Sequence, residues 1–300
     1  MTNQQKYVII ITERNKSRTC KTEKEIVIMK KYELTANTKN VYGKTLFQIR
    51  ALKDFGDVKA GELGGYIEKE ENLSHDGTAW VFEKALAYGN AEVRGNAQIR
   101  GNARIFDNAC VCGSVYVYDD AWVYGDACVC GKAQIYDDAC IYGKARVYGS
   151  ACVYNEAKIY DNARIYGNAW ICGNAQIYGN AWIYDDTQIY GNAWIYDDVR
   201  VSGNAQISGN ARVYGNARVY GNAQICDNSG YICFKGFGSE NRNTTMFRTK
   251  NGDVYVCCGC FRGSLKEFKE KVKETHGNTK YAKEYLVCIE AAKIHFEIDE

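Results

Sequence analysis

The stretch Ala163-Arg164-Ile165-Tyr166-Gly167-Asn168-Ala169-Trp170-Ile171-Cys172-Gly173-Asn174-Ala175-Gln176-Ile177-Tyr178-Gly179-Asn180 runs through one six-residue pattern three times. Followed in both directions, the pattern holds from Val81 to Ile225 without an insertion, giving 25 hexads. The recurring residue is Ile or Val in 24 of them, with Ala87 the exception. Two residues earlier stands Ala in 22 hexads, replaced by Val115, Thr187 and Val199 in the others. After the Ile or Val comes one residue, usually Tyr, and then a pair such as Gly-Asn, Asp-Asn or Asp-Asp. So strict a period makes a repeat architecture the first reading of the chain.

Each part of the hexad has a physical job. Alternate side chains of an extended segment point to opposite faces, so the Ala and the branched residue share the inside and their neighbours point out. Gly, Asn and Asp tolerate left-handed backbone, which marks the closing pair as a corner. One hexad is then one short strand and one corner. No hexad buries its Ile alone, but stacked hexads bury a continuous column, at roughly 1.5–3 kcal/mol per branched side chain. The sequence also lacks proline altogether, which suits uninterrupted backbone ladders.

The consensus Ala-x-Ile-Tyr-Gly-Asn resembles the hexapeptide repeat of left-handed parallel β-helices. That resemblance implies an all-β solenoid in which three hexads close one triangular coil of 18 residues. About eight coils follow, stacked to roughly 40 Å at the ~4.8 Å strand spacing. Handedness is implied by the resemblance alone, because the period carries no hand. Ahead of the repeat, Ala51-Leu52-Lys53-Asp54-Phe55-Gly56-Asp57-Val58-Lys59-Ala60-Gly61 and Leu63-Gly64-Gly65-Tyr66-Ile67 resemble the opening of the YdcK-type group. Those bacterial and phage-borne hexapeptide-repeat proteins carry transferase or polymer-forming labels by analogy. The likeness spans residues 30–229.

An open solenoid end exposes unpaired strands and needs a cover. Residues 29–78 are expected to form the N-terminal cap and first irregular coils, 79–229 the repeat, and 230–300 a small α+β cap domain. In that last block, Asn251-Gly252 between Thr244–Thr249 and Asp253–Cys258 signals a hairpin. Ser264-Leu265-Lys266-Glu267 is a capping box opening a helix that Gly277 ends. A second helix is expected from about Thr279 to Ile294. Residues 1–28 carry no clear pattern, and Met29-Lys30-Lys31-Tyr32 reads as a natural beginning, so 1–28 are expected to be an extension or a mis-called start.

Composition narrows the function. The formal net charge is +2, and the hexad region 79–229, with 12 Lys+Arg against 15 Asp+Glu, is net −3. That excludes a nucleic-acid binder driven by bulk charge. No stretch reads as a signal peptide or a membrane span, so a cytoplasmic protein with no membrane partner is expected. There, the 14 cysteines read as reduced thiols.

Folding the sequence at 18 residues sorts outward side chains into columns. One face carries Tyr88, Phe106, Tyr124, Tyr142, Tyr160, Tyr178, Tyr196 and Tyr214, with Trp122 and Trp194 in the neighbouring column. Stacked aromatics stabilise adjacent strands, and an exposed aromatic face also suits dimerisation or ligand binding. A second face carries Arg146, Arg164, Arg200 and Arg218 with Trp182 among them and tyrosines alongside, a pattern fit for a nucleotide or single-stranded nucleic acid. On the same face sit Cys110, Cys112, Cys128 and Cys130, read as ladder positions before a metal site. Asp119-Asp120, Asp137-Asp138 and Asn155-Glu156 stack at one corner, read as solvated turns before calcium. In the C-terminal block, Cys258, Cys260 and His276 make an incomplete zinc signature.

Hexapeptide-repeat solenoids resemble one another in a well-known acyltransferase activity, which the resemblance associates with a histidine general base and an extruded loop. The three histidines here, His75, His276 and His295, all lie outside the hexads, and no loop interrupts them. The reading is therefore a non-enzymatic binding or scaffold protein that needs no cofactor. Its expected partner is itself, as a homo-oligomer, or another protein, with sequestration of a host component as a phage-related variant. Acyltransferase and nucleotide binding are the alternatives.

Overall fold

The computed structural model describes the backbone of Tyr7–Ile11 and Lys24–Ile28 and all of residues 30–298. Nearly every hexad contributes a two-residue strand that pairs in parallel with the strand three hexads on, so Arg146 faces Arg164 and Arg164 faces Trp182. The strands sort into three parallel sheets that form the sides of a prism. The tyrosine side runs from Leu86–Ala87 to Arg212–Val213, the arginine side from Glu92–Val93 to Arg218–Val219, and the third side from Trp80–Val81 to Gln224–Ile225. The third side holds nine strands, so the solenoid has about nine turns, eight of hexads and one more. The extra turn is the irregular first one. There Tyr66 pairs with Leu86 and Leu73 with Val93, two residues more than the regular step from Trp80 to Gln98.

The interior follows from the two inward positions of each hexad. Ile99, Ile165 and Ile207 are fully buried, as are Ala97, Ala163 and Ala205. Thr187, the polar exception, is also buried, and its hydroxyl donates to the Tyr184 carbonyl at 2.7 Å. Corner residues take left-handed backbone, Gly167 at φ +74° and Asp185 at +57°. Where the first corner residue is acidic or Asn, its side chain accepts the N–H one coil ahead at most corners. Asp137 accepts from Asn155 at 3.0 Å, Asp185 from Gly203 at 3.0 Å and Asp197 from Gly215 at 3.0 Å. The second corner residue builds an amide ladder: Asn162 donates to Asn180 at 3.2 Å and Asn180 to Asp198 at 3.0 Å.

At the N-terminal end, Tyr32–Val41, Lys44–Ala51 and Leu63–Ile67 pair antiparallel and extend the tyrosine side. The two glycines of Leu63-Gly64-Gly65-Tyr66 permit that docking. A Cβ on Gly64 would lie 2.5 Å from the Val81 carbonyl oxygen, and one on Gly65 would lie 2.4 Å from that of Ala85. Tyr7–Ile11 pairs antiparallel with Lys24–Ile28; the rest of 1–28 lies outside the described residues, and with it most of the expectation of a dispensable extension.

At the other end, Tyr231–Phe237, Arg242–Arg248, Val254–Cys258 and Phe261–Ser264 form an antiparallel sheet. It carries helices α1 (Leu265–His276) and α2 (Lys280–Phe296). Ser264 and Glu267 close the capping box of α1, and Gly277 caps its C-terminus. Tyr231, Phe247 and Cys257 join the solenoid core. The cap also takes over the backbone groups of the last coil: Arg218 N–H donates to Thr245 Oγ1 at 3.0 Å, and Lys250 N–H donates to the Asn222 carbonyl at 3.0 Å. The last strands are thus covered rather than left open.

Candidate binding faces of the solenoid

The tyrosine side brings its column together as the register requires. Tyr124, Tyr142, Tyr160, Tyr178 and Tyr196 stack in sequence with ring centroids 4.8–5.1 Å apart. Tyr214 continues the stack, and Tyr231 of the cap domain closes it edge-on at 6.4 Å. Arg104 lies over Trp122 at 5.0 Å and Arg212 over Trp194 at 5.0 Å. Burial raises the phenol pKa values of Tyr124, Tyr142 and Tyr178 and pushes Tyr160 up to about 12. Those four hydroxyls are therefore uncharged through the neutral range. Neighbouring rings lie parallel and cover one another's faces, so the column turns edges and hydroxyls outward. Its stacking with the next coil is a use of the rings in itself.

The same device recurs elsewhere. Tyr118, Tyr136 and Tyr154 stack at 4.8 and 4.9 Å on the third side, and Tyr148, Tyr166 and Tyr184 at 5.3 and 5.4 Å on the arginine side. A ladder found on all three sides is first a property of the coil.

On the arginine side, Trp182 sits between two guanidinium groups, Arg164 at 4.7 Å and Arg200 at 5.3 Å. Arg146 precedes Arg164 in the column, and Arg218 follows Arg200. The four arginines and the tryptophan thus share one straight line. Arg218 lies nearest the cap, where Arg262 covers Tyr220 at 4.1 Å.

The third side is the one sequence reasoning passed over. Its column before the core residue reads Gln98, Tyr116, Gln134, Cys152, Trp170, Gln188, Gln206 and Gln224, with no charged residue. Tyr116 is 42% exposed and Trp170 53%. Tyr190, in the next column, is also exposed, whereas in the tyrosine column itself Tyr214 alone is exposed. The signal was present in the glutamines: a neutral column stands out among columns that carry Arg, Lys or Glu.

Two expectations need correction. The thiols are not all reduced, because Cys112 and Cys130 form a disulfide between adjacent coils. The register sets their Cα atoms 4.7 Å apart, within the range a disulfide spans. The zinc candidates do not converge into a metal site. Cys258, Cys260 and His276 line one cleft of about 460 Å³ with Arg242 and Tyr285. Cys258 is buried there between the Thr244 hydroxyl, donating at 3.1 Å, and the Tyr285 hydroxyl at 3.6 Å. Among the described residues no group of three or more His, Cys, Asp or Glu side chains is placed to hold a metal ion. At the candidate calcium corner, the Asp137 carboxylate accepts the Asn155 backbone N–H instead.

His75, the histidine nearest the coils, has both ring nitrogens engaged. Nδ1 accepts from the Lys31 N–H at 3.2 Å, Nε2 faces Glu70 at 3.5 Å, and the ring stacks on Tyr32 at 4.4 Å. Burial lowers its pKa against the pull of Glu70. Its one lone pair is thus occupied by backbone. Between the last coil and the cap domain lies a cleft of about 910 Å³ whose lining includes Tyr220, Asn222, Lys266 and Lys293. Among the described residues no helix is long and apolar enough to cross a membrane.

Comparison with known proteins agrees with this architecture. A family model for the YdcK β-solenoid repeat matches residues 133–149, 157–173, 175–191, 193–209, 205–221 and 211–227. The uncharacterized acetyltransferase YdcK of Escherichia coli (strain K12) is 40% identical over 63 residues, 21% of this chain and 18% of that protein. The chain thus spans about a fifth of the length of the curated relative it matches.

Proposed function

Taking the chain as a β-solenoid repeat protein of the YdcK type, we propose that it is a non-catalytic binding scaffold whose flat sides engage a second copy of itself or another protein. The observation that carries this reading is that the outward chemistry of the hexads runs in straight columns, with no loop leaving them. Acyl transfer needs a general base and an acyl carrier that converge; columns on a flat side favour contact along a surface. Of the three sides, the third fits an interface centre best, since interface cores are depleted of charge and enriched in aromatics. Trp170 and Tyr116 are its anchors, and the tyrosine column with Trp122 and Trp194 is the second candidate.

Size-exclusion chromatography with light scattering tests the proposal. A stable oligomer is expected, and Trp170→Ser with Tyr116→Ser should lower its mass. Loss of the oligomer in Tyr142→Ser with Tyr160→Ser instead would move the interface to the tyrosine side. A wild-type monomer that captures no protein partner through either face would refute the scaffold reading.

The relative's printed name favours a second reading, acyl transfer. Against it stand the hexads without histidine and the committed nitrogens of His75. Calorimetry with acetyl-CoA decides, because binding would revive that reading. The Arg164–Trp182–Arg200 stack favours a third, an anionic aromatic ligand such as a nucleotide. Salt-sensitive binding lost in Arg164→Gln with Arg200→Gln would support it.

A further inference from the structure

Four cysteines form a square on the arginine side. Cys110 and Cys128 are register partners on adjacent coils. Two residues further along the same two coils, Cys112 and Cys130 are the partners joined by the disulfide. The square therefore holds one dithiol beside one disulfide, each spanning the same pair of coils. The register serves both pairs alike, and the 4.7 Å separation at Cys112 and Cys130 suits a cross-coil disulfide. The Cys128 sulfur lies 3.5 Å from the Cys130 sulfur. Polar donors surround the dithiol: the Tyr148 hydroxyl reaches Cys128 at 3.7 Å, and the Arg94 guanidinium reaches Cys110 at 3.1 Å. Arg146 follows Cys128 in the same column. Both thiols are partly buried but not closed off from solvent.

We propose that Cys110, Cys112, Cys128 and Cys130 form a thiol–disulfide exchange site, with Cys128 as nucleophile and a dithiol or disulfide as the outside substrate. The Cys128 thiolate attacks the Cys130 sulfur. A Cys128–Cys130 bond forms, the Cys112–Cys130 bond breaks, and its electron pair leaves on Cys112, which takes the proton of Cys110. The Cys110 thiolate then attacks Cys128, and the leaving electron pair stays on Cys130. The disulfide has moved from Cys112–Cys130 to Cys110–Cys128 with no net oxidation. An outside dithiol gives two electrons and two protons to whichever disulfide is present and becomes a disulfide itself; an outside disulfide reverses the step. The hydrogen bond from Cys110, with Tyr148 and Arg146 behind it, lowers the Cys128 pKa to about 6 against burial, and the same bond raises that of Cys110. A thiolate at neutral pH is what the attack needs. This site is independent of self-association, and its test reads sulfur chemistry alone.

The full chain, purified without reductant, is desalted and incubated at pH 7.5 with no outside thiol or disulfide. Free thiols are alkylated, the rest reduced and alkylated with a second label, and each cysteine is assigned by fragmentation. Exchange predicts two populations: one with Cys110 and Cys128 carrying the first label, and one with Cys112 and Cys130 carrying it. A second measurement compares iodoacetamide rates at pH 6 for Cys128 and for Cys140, whose thiol burial raises above 9.0. Cys128, whose pKa is lowered, should react several-fold faster at that pH than Cys140, whose pKa is raised, after the lower nucleophilicity of a weaker base returns part of the gain. Tyr148→Phe should move the midpoint of its pH profile upward. A single population with Cys112–Cys130 always bonded overturns the proposal. So does a Cys128 that reacts no faster than Cys140, and so does a chain that forms no disulfide in the square.

Discussion

Gly167→Ala probes the corner geometry on which every coil depends. Gly167 sits at φ +74°, and a Cβ there would lie 2.7 Å from the Asp185 nitrogen and 2.8 Å from its carbonyl oxygen on the next coil. Left-handed backbone costs a residue other than Gly about 1–2 kcal/mol, and forcing apart packed backbone adds about 1–3 kcal/mol. Gly215 isolates the first cost. Its φ is +71°, but a Cβ meets nothing within 4 Å, because the coils end there. Gly167→Asn isolates the second in the other direction. Asn tolerates the conformation, and Asn155 already shows its side chain at such a corner, accepting the Gly173 N–H at 3.4 Å. Asp185 has a Cβ beneath Gly203 and accepts that N–H at 3.0 Å, so a small shift with a hydrogen bond in return is evidently tolerated. Long repeat arrays depart from two-state unfolding, so melting temperature by far-ultraviolet circular dichroism is the readout. At roughly 2 °C per kcal/mol for a chain of this size, Gly167→Ala should lower the melting temperature by about 4–10 °C. Gly215→Ala should lower it by about 2–4 °C, and Gly167→Asn by less than Gly167→Ala. Equal losses for Gly167→Ala and Gly215→Ala would refute the coil-to-coil contact. Equal losses for Gly167→Ala and Gly167→Asn would refute the hydrogen-bonded corner.

Three further outcomes are expected. Ile165→Ala, at a fully buried position, should cost about 2–5 kcal/mol, with faster amide exchange at Val147 and Ile183, its neighbours in the column, while the end coils stay protected. Phe247→Ala removes a fully buried plug of the solenoid core and should make the chain associate end to end as concentration rises, read by light scattering; an unchanged mass with normal melting would refute the plug. Lys31 is buried, its ammonium donating to the Ala79 carbonyl at 2.8 Å, and burial lowers its pKa from 10.5 to about 8. The folded chain releases that proton before the unfolded chain does, so its contribution is least favourable below pH 8 and improves as pH rises toward 10.5. Lys31→Met should flatten the rise in melting temperature between pH 7 and 9.5, and an unchanged slope would refute it.

Fold and site differ in how far the sequence discloses them, and the reason is physical. Inward positions obey one constraint repeated 25 times, so Ile165 and Ala163 announce the coil without help. The capping box at Ser264 is equally legible, because Glu267 answers it three residues on. What escaped was anything depending on relations between coils at one place. The two-residue lengthening of the first turn has no periodic signature, so its register could not be read, although irregular first coils were expected in 29–78. The disulfide depends on which cysteine columns align, and compartment reasoning from composition overrode that alignment. Cys258 and His276 do share a cleft, yet sequence spacing cannot show that Thr244 and Tyr285 engage the sulfur first.

The register that makes the fold legible also limits what a site on it looks like. Each outward residue is followed by another 18 residues later, so chemistry on this prism comes as lines along the axis or as pairs across one rung. Lines suit surfaces: the neutral column through Tyr116 and Trp170, or the guanidinium–indole stack through Trp182. Rung pairs suit short-range chemistry, which requires two reactive atoms held at bonding distance. In the Cys-Val-Cys strands at Cys110–Cys112 and Cys128–Cys130, both kinds of neighbour carry sulfur. They place a nucleophile, a disulfide and a resolving thiol together without a loop. Acyl transfer would need a general base, and the hexads carry no histidine to serve as one. Contact along the sides and exchange at the cysteine square are the two functions we propose for this geometry.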